Sequence, residues 1–192
     1  MLTTHVRLFG ALLASLSLLL IGIGLQNTLL GIRAGLEGFS TLETGFVMSG
    51  YFVGYLAGCW LAPRTIIRVG HIRTFSMLAS LASGTAILHA IEPNAWTWLI
   101  LRLITGASLA GLYLVVESWL NGATTTEHRG GLLAIYLVVN LGSIAIGQQL
   151  INIDAPSSFT LFALSSVLLS LAVIPVAITR AEAPAPPVTP SL

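Results

Sequence analysis

Lysine is absent from this sequence, and so is most of the charge that a water-soluble protein carries. Every basic residue is an arginine, and the charged residues make up 8% of the chain, against about 25% in an ordinary soluble domain. The lack of lysine removes any phosphate-loop lysine. The sequence also has no Gly-x-Ser-x-Gly, His-Glu-x-x-His or Cys-x-x-Cys arrangement. An intramembrane enzyme needs a nucleophile with its base, or a metal with its ligands, and neither pairing is visible, so no enzyme activity, metal or cofactor is expected. A single cysteine, Cys59, excludes a disulfide within the chain. It lies in an apolar run and is expected to serve packing. The net charge of +1 gives no reason to expect nucleic acid as a partner.

What the sequence has in quantity is apolar surface. Hydrophobic residues form 55% of it, and the mean hydropathy is +0.92. A soluble core of this length could not hide so much, so the chain reads as an all-α integral membrane protein. Six apolar segments are expected to span as helices, at about 8–30, 44–63, 73–91, 96–120, 131–152 and 159–179, each near the roughly 20 residues that crossing a bilayer takes. Turn signals separate them: Gly35 and Gly38, Gly70, Pro93-Asn94, the polar run Thr124 to Arg129, and Asp154-Ala155-Pro156. Residues 1–180 form one six-helix domain. Residues 181–192, with four prolines, read as a disordered tail or the start of a linker. The first segment follows Arg7 as a secretory leader would, but it runs too long for one and is expected to be retained.

Arginine counts set the expected orientation. With both termini in the cytoplasm, Arg7, Arg64, Arg68, Arg73, Arg129 and Arg180 all fall inside and Arg33 alone falls outside, a strong positive-inside bias. The expected location is the inner membrane.

The stretch 96–120 is long enough to span, yet it carries Arg102 and Glu117. A charge at the centre of a transmembrane helix costs about 2.5–3.5 kcal/mol or more, so it faces a polar interior or a partner. On a helix these two lie about 22 Å apart and cannot pair. Transport pathway and structural pairing both remain open at this point. Neutral polar residues recur at similar depth: Gln26, Asn27 and Thr28 in the first segment, and Tyr136, Asn140, Ser143 and Gly147 with Gln148 in the fifth. Tyr51 and Tyr55 in the second segment carry phenols that could reach a ligand, and Tyr113 adds another in the fourth. Gly50, Gly54 and Gly58 form a small-residue strip that asks for a close helix partner, one not expected to be fully supplied within the chain. His89 is expected at the membrane interface, and the aliphatic sixth segment as a peripheral, lipid-facing support.

The order of these features resembles the N-terminal half of a major facilitator superfamily transporter. In that family's loop between helices 2 and 3, Arg68 and Gly70 match, Pro63 and His71 replace a glycine and a basic residue, and Ile67 stands at the acid. Arg102 and Gly106 match the basic residue and glycine of helix 4 in proton-coupled members. Glu117 followed by Arg129-Gly130 matches the inner end of helices 4 and 5. Asn27-Thr28-Leu29, Ser49-Gly50-Tyr51-Phe52, Val115-Val116-Glu117-Ser118 and Arg129-Gly130-Gly131-Leu132-Leu133-Ala134 resemble the YcaD-like branch. The resemblance implies a six-helix half of an alternating-access secondary transporter for a small molecule, with a proton as one candidate coupling ion. It implies a substrate pathway drawn from Gln26, Asn27, Tyr51, Arg102, Tyr113, Asn140 and Gln148, and a cytoplasmic gate of Arg68, Gly70, Glu117 and Arg129. The implied partners are membrane lipid and a second six-helix half or a second copy. The competing expectation is a non-transporting six-helix subunit or scaffold of a larger membrane complex.

Overall fold

Within a bilayer every backbone N–H and C=O must be bonded inside the protein, so apolar segments of spanning length fold as helices. The computed structural model describes residues 2–122 and 129–179, with side chains from Phe9 onward; the Thr124 to His128 part of the polar run and the Pro-rich tail lie outside the described residues. The elements are α1 (Leu2–Leu36), α2 (Thr41–Val69), α3 (His71–Ile91), α4 (Ala95–Gly122), α5 (Arg129–Gln149) with a 3-10 turn (Leu150–Ile153), α6 (Phe159–Leu171) and α7 (Val173–Ile178). Together they supply six apolar spans long enough to cross a membrane, α6 and α7 sharing the last. The chain is a multi-pass membrane bundle with no strand among the described residues. One end of the bundle carries the turn at Gly70, the other the turn at Glu92.

Several helices run further than the apolar runs alone indicate. Gln26, Asn27 and Thr28 do not end α1, because Arg33 pairs with Glu37 at 2.6 Å one turn on, and the Arg33 guanidinium also donates to the Pro156 and Ser157 carbonyls. The start of α2 is a capping box: Ser40 Oγ accepts from the Glu43 N–H at 3.3 Å, and the Ser40 N–H donates to the Glu43 carboxylate at 2.8 Å. Pro63 lies inside α2, which continues to Val69. The segment from Pro63 to Arg73 is therefore not a loop but two helix ends hinged at Gly70. That residue has φ of 84° and caps α2 through its N–H to the Ile66 carbonyl at 2.8 Å, a backbone conformation that favours glycine.

α4 is the central helix, packed on α2 along one side and α3 along another, while α1 lies against α5 and α6. The α2–α4 contact is backbone to backbone. A Cβ on Gly54 would strike the Leu103 carbonyl, one on Gly58 the Ala107 backbone, and one on Gly106 the Tyr51 carbonyl. The Gly50, Gly54, Gly58 strip thus finds its close partner within this chain, contrary to the expectation from sequence, because Gly106 on α4 is recessed opposite it. Gly24 and Gly147 bring α1 and α5 together in the same way.

Three further expectations are corrected. His89 is fully buried and not interfacial: its Nδ1 lies 2.6 Å from the Thr85 carbonyl and its ring packs edge-on to Trp98, centroids 5.4 Å apart. Cys59 is exposed on the outside of α2 and packs nothing in the core. The sixth span is not merely peripheral. Ser83 on α3 bonds both Ser166 and Ser170, at 2.7 and 2.8 Å, and Ser165 donates to the Gly22 carbonyl at 2.9 Å. Serine hydroxyls in an aliphatic helix are here interhelical bonds, whereas composition alone reads them as incidental.

Two outcomes follow from this packing. Gly54→Ala should destabilise the bundle by about 1–3 kcal/mol, because the added methyl meets backbone that cannot rotate away, whereas Gly45→Ala, with open space around its Cβ position, should not; unfolding in detergent measures both. Asp154, in the turn before α6, has its carboxyl held below the usual range by hydrogen bonds from Ser158 and Thr160 and from the Ala155 N–H. A depressed folded value contributes stability above the unfolded value that is lost as pH falls through the folded one. Amide protection at the start of α6, corrected for the intrinsic exchange rate, should therefore fall in acid, and Asp154→Asn should remove that fall.

Candidate functional site

Four helices turn polar groups toward one lengthwise face of the bundle. Arg102 is the anchor. Its side chain is 4% exposed, because the glycine seam draws α4 close enough to α2 for the guanidinium to lie on the Tyr51 ring, 4.5 Å from its centroid. Nη1 donates to Asn27 Oδ1 on α1 at 2.8 Å, so one guanidinium ties α1, α2 and α4 together. Among the described residues no carboxylate pairs with it. Its balance comes from a neutral amide and an aromatic face, an arrangement suited to a cation that stays charged.

One turn after another along α4, the same face continues. Asn140 Nδ2 on α5 donates to the Tyr113 hydroxyl at 3.0 Å. Further toward the Gly70 end, the Tyr136 hydroxyl donates to Glu117 Oε1 at 2.8 Å. Tyr55 lies within electrostatic reach of both Tyr113 and Glu117. The result is a polar track with a cation at one end and a carboxylate at the other, bordered by phenols. Beside Glu117 is a cavity of about 280 Å³, lined by Leu120, Asn121, Arg129, Leu132, Leu133 and Tyr136 as well.

Of the pathway residues expected from sequence, the structure brings Asn27, Tyr51, Arg102, Tyr113 and Asn140 onto this track. Gln148 is exposed on α5, and among the described residues no hydrogen bond joins it to them. Gln26 is completely buried and faces away from the track: one residue from Asn27 is about 100° around the helix, which turns it inward. The gate residues separate as well. Glu117 and Arg129 share the cavity, but among the described residues no ion pair joins Glu117 to Arg129 or to the exposed Arg68. The hydrogen bond expected from an arginine comes from Tyr136. Gly70 serves the α2–α3 turn. What joins that turn to α4 is His71, whose Nε2 lies 3.0 Å from Ser118 Oγ with its ring against Trp119.

Tyr55 and Tyr136 are visible in the sequence as polar side chains but are not among the expected pathway or gate residues. For Tyr136 the signal was present, since it sits one turn before Asn140 on the polar stripe of the fifth segment. The lower half of that stripe has another use: Ser143 and Gly147 are buried, and Gly147 abuts the Ile21 carbonyl on α1.

No family model matches the chain. It is 35% identical over 151 residues, 78% of its own length and 39% of the relative's, to a protein of Escherichia coli O139:H28 (strain E24377A / ETEC) named an uncharacterized MFS-type transporter, YcaD. The proteins of that name in Escherichia coli strains SMS-3-5 / SECEC and SE11 match to the same extent. The aligned part thus spans about two fifths of the curated relatives, which are longer by more than a second set of six helices would need. In sequence, and in six apolar helices that fit one half of such a fold, the chain is a relative of the major facilitator superfamily transporters.

Proposed function

We propose that this chain is one six-helix half of a secondary active transporter that carries a small molecule across the inner membrane by alternating access, with its substrate pathway along the track from Asn27, Tyr51 and Arg102 to Tyr113 and Asn140. The observation that carries the reading is Arg102. A buried guanidinium with no acid opposite among the described residues is costly in a bilayer, and a bundle that needed only packing would gain stability by replacing it with an apolar side chain. In this reading the charge is kept for what it meets in the pathway.

The second half stands across the polar face. Polar surface at membrane depth is tolerated where it is buried in protein or lines water, and the relatives are long enough to contain such a half. Transporters of this architecture bind at the midplane between two repeats. Arg102 lies in the half of α4 nearer the Glu92 end, about two turns from the middle of that helix, and in this reading it meets a substrate at or just beyond that level. Glu117, Tyr136 and Arg129 lie near the Gly70 end, which the arginine distribution places in the cytoplasm, and act there as a gate. Tyr136 holds Glu117 in the arrangement seen here, and closure against the opposite half exchanges that bond for one to Arg129 or Arg68.

Crosslinking in native membranes tests the second half. Cys59→Ser with Gln148→Cys gives one thiol on the exposed side of α5, and a bifunctional reagent should capture another six-helix segment, whether a continuation of the chain, a second copy or another chain. A strictly uncrosslinked, monomeric bundle would sink the proposal. The pathway is tested energetically and functionally. A double-mutant cycle of Asn27→Ala with Arg102→Met should give a coupling of about 1–3 kcal/mol, the range for a hydrogen bond to a charged group. Arg102→Met in the reconstituted assembly should abolish uptake while leaving expression intact; unchanged uptake would make the residue structural only.

A further inference from the structure

Behind Arg102, on the side away from the track, lies a second group of polar atoms that the transport reading does not use. Among the described residues the buried side-chain N and O atoms without a protein hydrogen-bond partner are Ser15 Oγ, both amide atoms of Gln26, His89 Nε2 and Arg102 Nε. All belong to side chains that are 0–4% exposed, and the fold puts all but Ser15 at one level.

Two contacts fix that level. The Thr85 and Thr105 hydroxyls meet at 2.9 Å and set the register of α3 against α4. The two helices run in opposite directions, so His89, one turn beyond Thr85, stands beside Arg102, one turn before Thr105. The bond from Arg102 to Asn27 sets α1 at the same height, and Gln26 is the adjacent residue, turned inward. Its neighbours on that face, Leu25, Leu29 and Leu30, pack in a cluster with Trp98 and Phe162. Trp98 in turn lies edge-on to His89 and donates its indole N–H to the His89 carbonyl at 3.0 Å. Gln26, His89 and Arg102 therefore lie at the level of the layer that Trp98 closes.

The chemistry of the four atoms is matched. His89 Nδ1 lies against the Thr85 carbonyl, which can only accept, so Nδ1 carries the proton and Nε2 is left as an acceptor. Gln26 Oε1 is a second acceptor. Arg102 Nε–H and the Gln26 NH₂ are donors. Two donors and two acceptors are the full complement of one water molecule, and buried water is held by two to four such partners.

We propose that Gln26, His89 and Arg102 form an occluded water-binding site at the junction of α1, α3 and α4, and that the bound water fixes the Nε edge of the Arg102 guanidinium so that its Nη edge faces the track. Gln26 and His89 are then positioning residues for Arg102. Water binds here whether or not the chain transports anything, so the site stands or falls apart from the transport reading.

The full chain in lipid vesicles, labelled with ¹⁵N at arginine, histidine and glutamine and free of substrate, tests it by solid-state NMR. The expected result is a neutral His89 ring protonated on Nδ1, assigned by its loss in His89→Phe, with magnetisation passing from a slowly exchanging water to Arg102 Nε and to the Gln26 amide. A ring protonated on Nε2, or no transfer from water to Arg102 Nε, overturns the proposal in the native chain with no variant needed. In Gln26→Met, which keeps the side-chain length, the transfer to Arg102 Nε should fall at least severalfold while the His89 tautomer is unchanged. Undiminished transfer in that variant removes Gln26 from the site and overturns the proposal as stated.

Discussion

The contact between α2 and α4 is the constraint on which the rest of this bundle depends. Three glycines on one helix and Gly106 on the other let the two backbones touch, and in lipid, where apolar side chains gain little by leaving the solvent, such close packing is a principal source of attraction between helices. The seam also does chemical work. It lowers Arg102 onto the Tyr51 ring and leaves the guanidinium short of lipid on every side. A wider α2–α4 spacing would free the arginine to snorkel toward the interface, and the link through Asn27 to α1 would go with it.

Polar side chains in the bundle fall into two populations. One is internal: Ser83 with Ser166 and Ser170, Thr85 with Thr105, and Ser165 with the Gly22 carbonyl. These hydroxyls satisfy one another or backbone and set helix register. The other population lines the track, where Asn27, Tyr113, Asn140, Tyr136 and Glu117 bond across helices yet keep donor or acceptor capacity to spare. An amide or carboxylate with unused lone pairs beside a cleft can trade one partner for another at small cost, which a fully satisfied serine pair cannot.

Helix number and type were legible in the sequence because apolar length is a direct statement about bilayer thickness. Helix ends were less so. Pro63 looked like a terminus, and the added turns of α2 depend on a cap at Gly70 that no hydropathy profile contains. On α1, Asn27 and Gln26 are chemically alike and adjacent, and only the helix angle sends one to the track and the other into the core; a count of polar residues cannot separate them. His89 was misplaced for a related reason. Its nearness to Glu92 suggested the interface, whereas Trp98 folds over it from the next helix. Glu117 was singled out by its charge, but its partner is a tyrosine nineteen residues on, a relation created by the α4–α5 crossing and not by proximity in the chain.

The position of α1 has a consequence for how the protein is made. Its contacts are with α5 and α6, through Gly24 against Ile144 and Gly22 against the Ser165 carbonyl, and its Arg33 reaches the carbonyls just before α6. The first of these six spans therefore docks with the fifth and sixth. Until more than a hundred further residues have been synthesised, Gly22 and Gly24 lack the α6 and α5 backbone they pack against. The insertion machinery or an early pairing with α4 through Asn27 must shelter them, so the docking of α1 closes this six-helix bundle as a late event.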